Sequence, residues 1–234
     1  MGYVIHCENP GDYGLLRQKA DRSKGLEWQG QAHYDRIGDL VMRNIQERMV
    51  KEYGLKEVWI PEDEDLEEEY RHLPRNNIFM SPNFHAPPSD EQTEKDAMVL
   101  IQGTGAVRAG VWARSVCINE SMEKGSMLPL LRAAALHNMS VIVFNPNLHR
   151  HQGKPIPYSN SMESHSLFAW QKYVSPSRFR KLFVVAHSAG GACLAAIQKT
   201  FSDEFYIRVG KVALTDSWTI DRESLTKEQH RWMI

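Results

Sequence analysis

The chain has 234 residues, enough for one domain around a single large core, and 42% of them are hydrophobic against 24% charged. Its 28 basic and 29 acidic residues leave a formal charge of −1, so no global field draws it to nucleic acid or an anionic membrane. Apolar runs such as Met98–Ile101 and Leu182–Ala186 are far too short to span a bilayer, and no charged-then-apolar leader opens the chain, so neither a membrane span nor a signal peptide is expected.

Residues 1–31 carry Pro10, Gly11, Gly14, Gly25 and Gly30 without sustained periodicity and read as an irregular segment. From His33 the pattern changes: Ile37, Leu40, Val41, Ile45, Met49 and Tyr53 recur at helical spacing, and Gly54 stands where a C-terminal cap belongs. A short strand, Val58–Ile60, stops at Pro61. The following EDEDLEEEY has seven acidic residues in its first eight and reads as a solvated loop, with a docking face for a basic partner as the alternative. Asn77–Met80 is a further strand, and Pro82, Pro87 and Pro88 mark a connection.

After Lys95 strands and helices alternate. Strands are expected at Met98–Gln102, Ser140–Phe144, Leu182–Ala186 and Val212–Thr215, and helices at Ser126–His137, Glu163–Tyr173 and Ala189–Thr200. Short apolar strands without alternation are buried on both faces, which a parallel sheet covered by helices requires. The order argues a doubly wound α/β sheet, whose chemistry gathers at the carboxyl ends of the strands. That points to Gly103–Gly105, Asn145–Asn147, His187–Gly191 and Asp216. Cys7, Cys117 and Cys193 are scattered, with no metal-ligand spacing or disulfide framework, and read as small buried hydrophobes in a reducing compartment.

The stretch VVAHSAGG carries the most chemistry. Ser188 sits where an apolar strand meets a helix, as the serine of the G-x-S-x-G elbow does, with Ala186 replacing the first glycine and Gly190 keeping the second. The plain alternative is a serine that caps the helix. An acyl-transfer site also needs amides aimed at the developing oxyanion. Ala189 supplies one, and the loop IQGTGAVRAG, through Gly103, Thr104 and Gly105, supplies the other. A nucleotide-phosphate reading of that loop is weaker, for want of a lysine-serine/threonine ending or a clean G-x-G-x-x-G.

Asp216, just past the next strand, is the candidate acid, or else an ordinary turn or capping aspartate. The base is harder to find. His230 keeps the order serine, aspartate, histidine, but it lies in Leu225–Met233, which reads as helix, so an ordinary helix residue is the plainer reading. His187 should point away from Ser188 across the elbow. His149 and His151 resemble a metal pair without a third ligand, and no metal or other cofactor is called for. Arg108 and Arg114 flank Trp112 and would serve either an anionic group or loop-bracing salt bridges.

The segments MVLIQGTGAVRAGVWAR, Asn119-Glu120, SVIVFNPN, FVVAHSAGG and VALTDS together resemble the Arb domain family, from about Tyr34 to Met233. That family is named for an argonaute-binding protein of fission yeast and includes animal cotranscriptional regulators. The resemblance implies an α/β-hydrolase-like fold that keeps a serine elbow, with Ser188 and Asp216 on the family's serine and aspartate positions. It implies residence in nucleus and cytoplasm, and an accessory role with argonaute in small-RNA-linked heterochromatin silencing or in cotranscriptional and splicing regulation. The partner expected is argonaute or a chromatin- or splicing-linked protein, with no direct nucleic-acid binding and no membrane. The rival reading is a serine esterase or amidase. Gln102 stands where relatives often carry histidine, and the family's own histidine lies beyond the equivalent of Ile234. Residues 32–234 are therefore expected to form an Arb-type domain, incomplete at its C-terminus and lacking the last strand or strands.

Overall fold

The structure, a computed structural model, describes residues 2–7, 13–86, 93 and 95–217. Six strands form the central sheet: β3 (Lys56–Ile60), β4 (Asn76–Met80), β5 (Ala97–Ile101), β6 (Ser140–Val143), β9 (Leu182–His187) and β10 (Val209–Thr215). Their spatial order is β10-β9-β5-β6-β4-β3. The four strands from β10 to β6 are parallel, while β4 runs antiparallel to both β6 and β3. The expected doubly wound, mostly parallel sheet is thus present, with an antiparallel pair at one edge. The described residues show no further strand beyond β10.

Side chains alternate across this sheet, so the apolar runs feed two cores. Val99 and Ile101 join one cluster with Ile78, Ile142 and Val184, whereas Leu100 joins the other with Phe79, Val141 and Val143. The first face is covered by α6 (Met162–Ala169), α7 (Gly190–Thr200) and α8 (Ser202–Arg208), through Trp170, Leu194, Ile197 and Phe205. The second is covered by α1 (Gln31–Tyr53), α3 (Arg114–Asn119) and α5 (Leu128–Leu136). The short α2 (Pro82–His85) and α4 (Met122–Gly125) complete the helices named here.

Helix α1 follows the periodicity read in the sequence. Ile37, Val41, Met42, Ile45 and Met49 form its buried stripe, and Gly54 ends it in left-handed backbone at φ 65°. Burying each of those side chains contributes roughly 1.5–3 kcal/mol before entropy is counted. The stripe is held close to the loop after β5: a Cβ on Gly110 would stand 2.7 Å from Met49 Sδ and 2.9 Å from Ile45 Cγ2, and its φ of 95° is left-handed backbone that favours glycine.

Several expectations need correction. The N-terminal segment is not irregular throughout, because β1 (Tyr3–His6) pairs antiparallel with β2 (Leu15–Gln18). Tyr13 and Leu16 are buried in the α1-side core, and the Tyr13 hydroxyl donates to the Leu128 carbonyl at 2.9 Å. The helix expected to end at Tyr173 is α-helical only to Ala169 and continues as a wider turn, Trp170–Val174. A two-residue hairpin, β7 (Arg150–His151) with β8 (Lys154–Pro155), accounts for the loop holding His151. Cys117 and Cys193 are buried as expected, but Cys7 is exposed.

Candidate functional site

The chain leaves β5 for β6 on one side and leaves β9 for β10 on the other. Their covering helices lie on opposite faces of the sheet, so the connections switch direction at the carboxyl ends of β5 and β9, the place where a doubly wound sheet gathers its chemistry. Gly103 follows the first strand and Ser188 the second. Ser188 turns there in left-handed backbone at φ 52°, a conformation that costs a non-glycine residue about 1 kcal/mol or more. Its amide is spent on the Thr215 carbonyl (3.0 Å), and Ser217 Oγ donates to its carbonyl (2.7 Å), so β10 and its exit hold the strained residue from one side.

Two glycines hold it from the other. A Cβ on Gly103 would stand 2.6 Å from Ser188 Cβ, and one on Gly190 would stand 2.6 Å from the Ile101 carbonyl. Both positions demand the absence of a side chain. Ala186, two residues before the serine, is wholly buried between Ile101 and Leu214, where its methyl joins the core. The turn therefore has the elbow geometry that the sequence implied.

Ala189 is the N-cap of α7, and its amide has no hydrogen-bond partner among the described residues. That places one free donor directly after Ser188. Gly103 is in contact with the serine, whereas Thr104 and Gly105 are exposed beyond it, Gly105 at φ 113°. Asn147 Nδ2 donates to the Gly103 carbonyl and so fixes the loop. Asp216 is brought beside the elbow, because Thr215 pairs with His187, and it too is left-handed, at φ 48°. Its carboxylate is exposed and bonds to nothing among the described residues.

No histidine completes the group among the described residues. His187 Nδ1 meets Thr215 Oγ1 at 3.1 Å, and its ring meets Trp112 edge-on at 5.8 Å; no hydrogen bond joins it to Ser188 among the described residues. His230 lies outside the described residues. His149 Nδ1 lies 2.9 Å from the Ser159 carbonyl, and no group of three metal-binding side chains occurs among the described residues. Arg114 braces α1 by pairing with Asp35 at 2.9 Å and covering the Tyr34 ring. Arg108 is half-buried, which lowers its pKa, and Nη1 donates to the carbonyl of Val107.

Beside this switch point lies a buried polar network that the sequence did not reveal as such. Asn145 Nδ2 donates to Asn76 Oδ1 (2.9 Å) and Asn77 Oδ1 (2.8 Å), while Asn145 Oδ1 accepts from the Ala109 amide (3.1 Å). The Asn145 amide donates to His165 Nε2 at 3.0 Å. That ring nitrogen must be unprotonated, so Nδ1 carries the hydrogen and donates to Ser159 Oγ at 2.8 Å. Burial lowers the His165 pKa to about 3, which keeps the ring neutral. Gln102, also buried, packs its amide against Asn145 at 3.1 Å and with its nitrogen turned inward donates to the Phe144 carbonyl at 2.7 Å. Its amide faces into the protein. Asn145 and Asn147 could be found from their place after a strand, but His165, Ser159 and Ser217 had no local signal.

The Arb2 domain family matches residues 27–152. A FAM172 family protein homolog of Caenorhabditis elegans is 32% identical over 87% of this chain and 61% of its own length. A cotranscriptional regulator ARB2A homolog of Dictyostelium discoideum is 30% identical over 88% of the chain and 58% of its own length. The human cotranscriptional regulator ARB2A is 26% identical over 87% and 59%. The chain thus spans about three-fifths of the length of the curated relatives it matches. Among solved structures, the histone deacetylase Clr3 aligns with TM-score 0.47 and 16% identity over 84% of this chain and 29% of that one. With more than half of its residues matched, the chain belongs to the Arb2 domain family.

Proposed function

We propose that this chain is the hydrolase-fold core of a cotranscriptional regulator, acting in the nucleus and cytoplasm as an accessory that binds other proteins, an argonaute or a chromatin- or splicing-linked factor among them. The observation that carries this reading is the Arb2 match together with relatives named as cotranscriptional regulators. The finer role, assistance to argonaute in small-RNA-linked silencing, rests on the family resemblance. No helix among the described residues is long and apolar enough to cross a membrane, which is compatible with it. The test is affinity purification beside the human relative: the reading expects argonaute or chromatin-linked proteins to co-purify, and their absence where the relative retains them defeats it.

A second reading is favoured by one specific observation, the strained Ser188 packed against Gly103 with the Ala189 amide free beside it. In a serine esterase or amidase Ser188 would attack an acyl carbon, and Ala189 with an amide near Gly103–Gly105 would bind the oxyanion. Asp216 would orient a base. Labelling by a fluorophosphonate probe, lost in Ser188→Ala, supports this reading; a folded protein that stays unlabelled contradicts it.

A further inference from the structure

The acidic segment after β3 is mostly exposed, with Glu62 and Asp65 half-buried. Two one-turn helices, Asp63–Asp65 and Glu68–Tyr70, fold it back on the molecule. Glu62 accepts from the Tyr173 hydroxyl (2.6 Å) and lies 3.1 Å from His85, and Asp63 pairs with Arg75. The ammonium of Lys172 is surrounded by Glu62 (3.1 Å), Glu64 (3.4 Å) and Asp65. Three carboxylates around one ammonium leave the cluster negative. Glu67, Glu68 and Glu69 extend the negative charge, exposed and without ion pairs among the described residues.

Against this segment lies a groove of about 580 Å³, lined by Asp65, Tyr158, Leu167, Phe168, Gln171 and Lys172. Its wall is aromatic: the rings of Tyr158 and Phe168 stack 4.6 Å apart at 11°. Tyr158 is nearly half exposed and sits in left-handed backbone at φ 57°, with its hydroxyl donating to the Asp65 carbonyl at 3.3 Å. One ring face is covered by Phe168, and an aromatic side chain is thus held in strained backbone beside fixed carboxylates.

We propose that this groove docks an arginine-rich, extended segment of a partner protein. Charge complementarity selects a basic occupant and repels nucleic acid. The aromatic wall selects arginine over lysine, because a planar guanidinium stacks on a ring while its edge pairs with a carboxylate. Glu64, beside the groove, 74% exposed at its side chain and 3.4 Å from Lys172, is the exposed carboxylate that the guanidinium edge would meet. The groove shares no residue with the Ser188 elbow, so the proposal stands apart from both readings of that site.

The probe is a short fluorescein-labelled peptide alternating arginine with serine, followed by fluorescence anisotropy against the whole chain. The expected result is saturable binding that weakens with salt and is tighter than for the matching lysine peptide. Tyr158→Ala should weaken it about fivefold or more, and Glu64→Lys about threefold or more, whereas Glu47→Gln on α1 should leave it unchanged. Both altered residues are exposed, Tyr158 in the groove wall and Glu64 beside it, and a melting curve matching wild type separates lost docking from lost folding. Absence of saturable binding overturns the proposal. Equal binding by the Tyr158 and Glu64 variants overturns it as well, as does tighter binding of a single-stranded RNA.

Discussion

At the carboxyl end of β6, where antiparallel β4 begins, Asn76, Asn145 and His165 are fully buried and hydrogen-bonded to one another. At the carboxyl ends of β9 and β10, a few strands away in the same sheet, Ser188 and Asp216 stand in left-handed backbone, the serine half-exposed and the aspartate open to solvent. The first region spends its polar groups on internal bonds, and a satisfied buried network specifies one arrangement of the loops around it. The second region keeps strain, a free helix-start amide and a carboxylate without a partner among the described residues. Strain of that kind persists only where surrounding structure enforces it, and here Gly103, Thr215 and Ser217 enforce it. Rigidity in one half thus supports tension in the other.

The contrast breaks most readily from the rigid side. Asn145→Ala takes away the donor to the buried Oδ1 atoms of Asn76 and Asn77 and the side-chain acceptor of the Ala109 amide, so urea unfolding should show a loss of about 3 kcal/mol. Gly103→Ala tests the other side, since the new methyl would stand 2.6 Å from Ser188 Cβ. A loss of about 1–3 kcal/mol in the same assay is expected, and a neutral result would show that the elbow does not depend on this contact.

The third test uses pH. Burial depresses the folded-state pKa of His165 from the ordinary 6.5 to about 3, so between those values the unfolded chain binds the extra proton. Stability from this group is therefore complete above pH 6.5 and falls by up to about 1.4 kcal/mol per pH unit as the solution is acidified towards pH 3. His165→Gln should flatten that dependence, read from midpoints across the acid range. The smallest effect sharpens the comparison: Ser188→Gly should stabilise the fold by about 0.5–1 kcal/mol, because glycine enters left-handed backbone without penalty.

Much of this was legible in the sequence, and the limits are physical. The apolar runs of β5, β6 and β9 and the stripe of α1 announced themselves because burial imposes period and composition. The elbow was legible because the turn leaves no room for a side chain at Gly190 and buries the small Ala186 two residues before the serine. The pairing of β1 with β2 was not, since Tyr3–His6 is only half-buried throughout and offers no alternation. Nor was the His165 network, whose members are separated by as many as 89 positions and meet only in the folded chain. The acidic run is mostly exposed, as its composition implied, but composition does not show that Lys172, more than a hundred positions later, returns to hold Glu62, Glu64 and Asp65.

The most direct test of the account is affinity purification of the whole chain and its Ser188→Ala variant from nuclear extract, with bound proteins identified by mass spectrometry. An accessory role predicts that argonaute or chromatin-linked proteins accompany both forms equally. Their absence from both, with fluorophosphonate labelling that depends on Ser188, would contradict it and leave the hydrolase reading in its place.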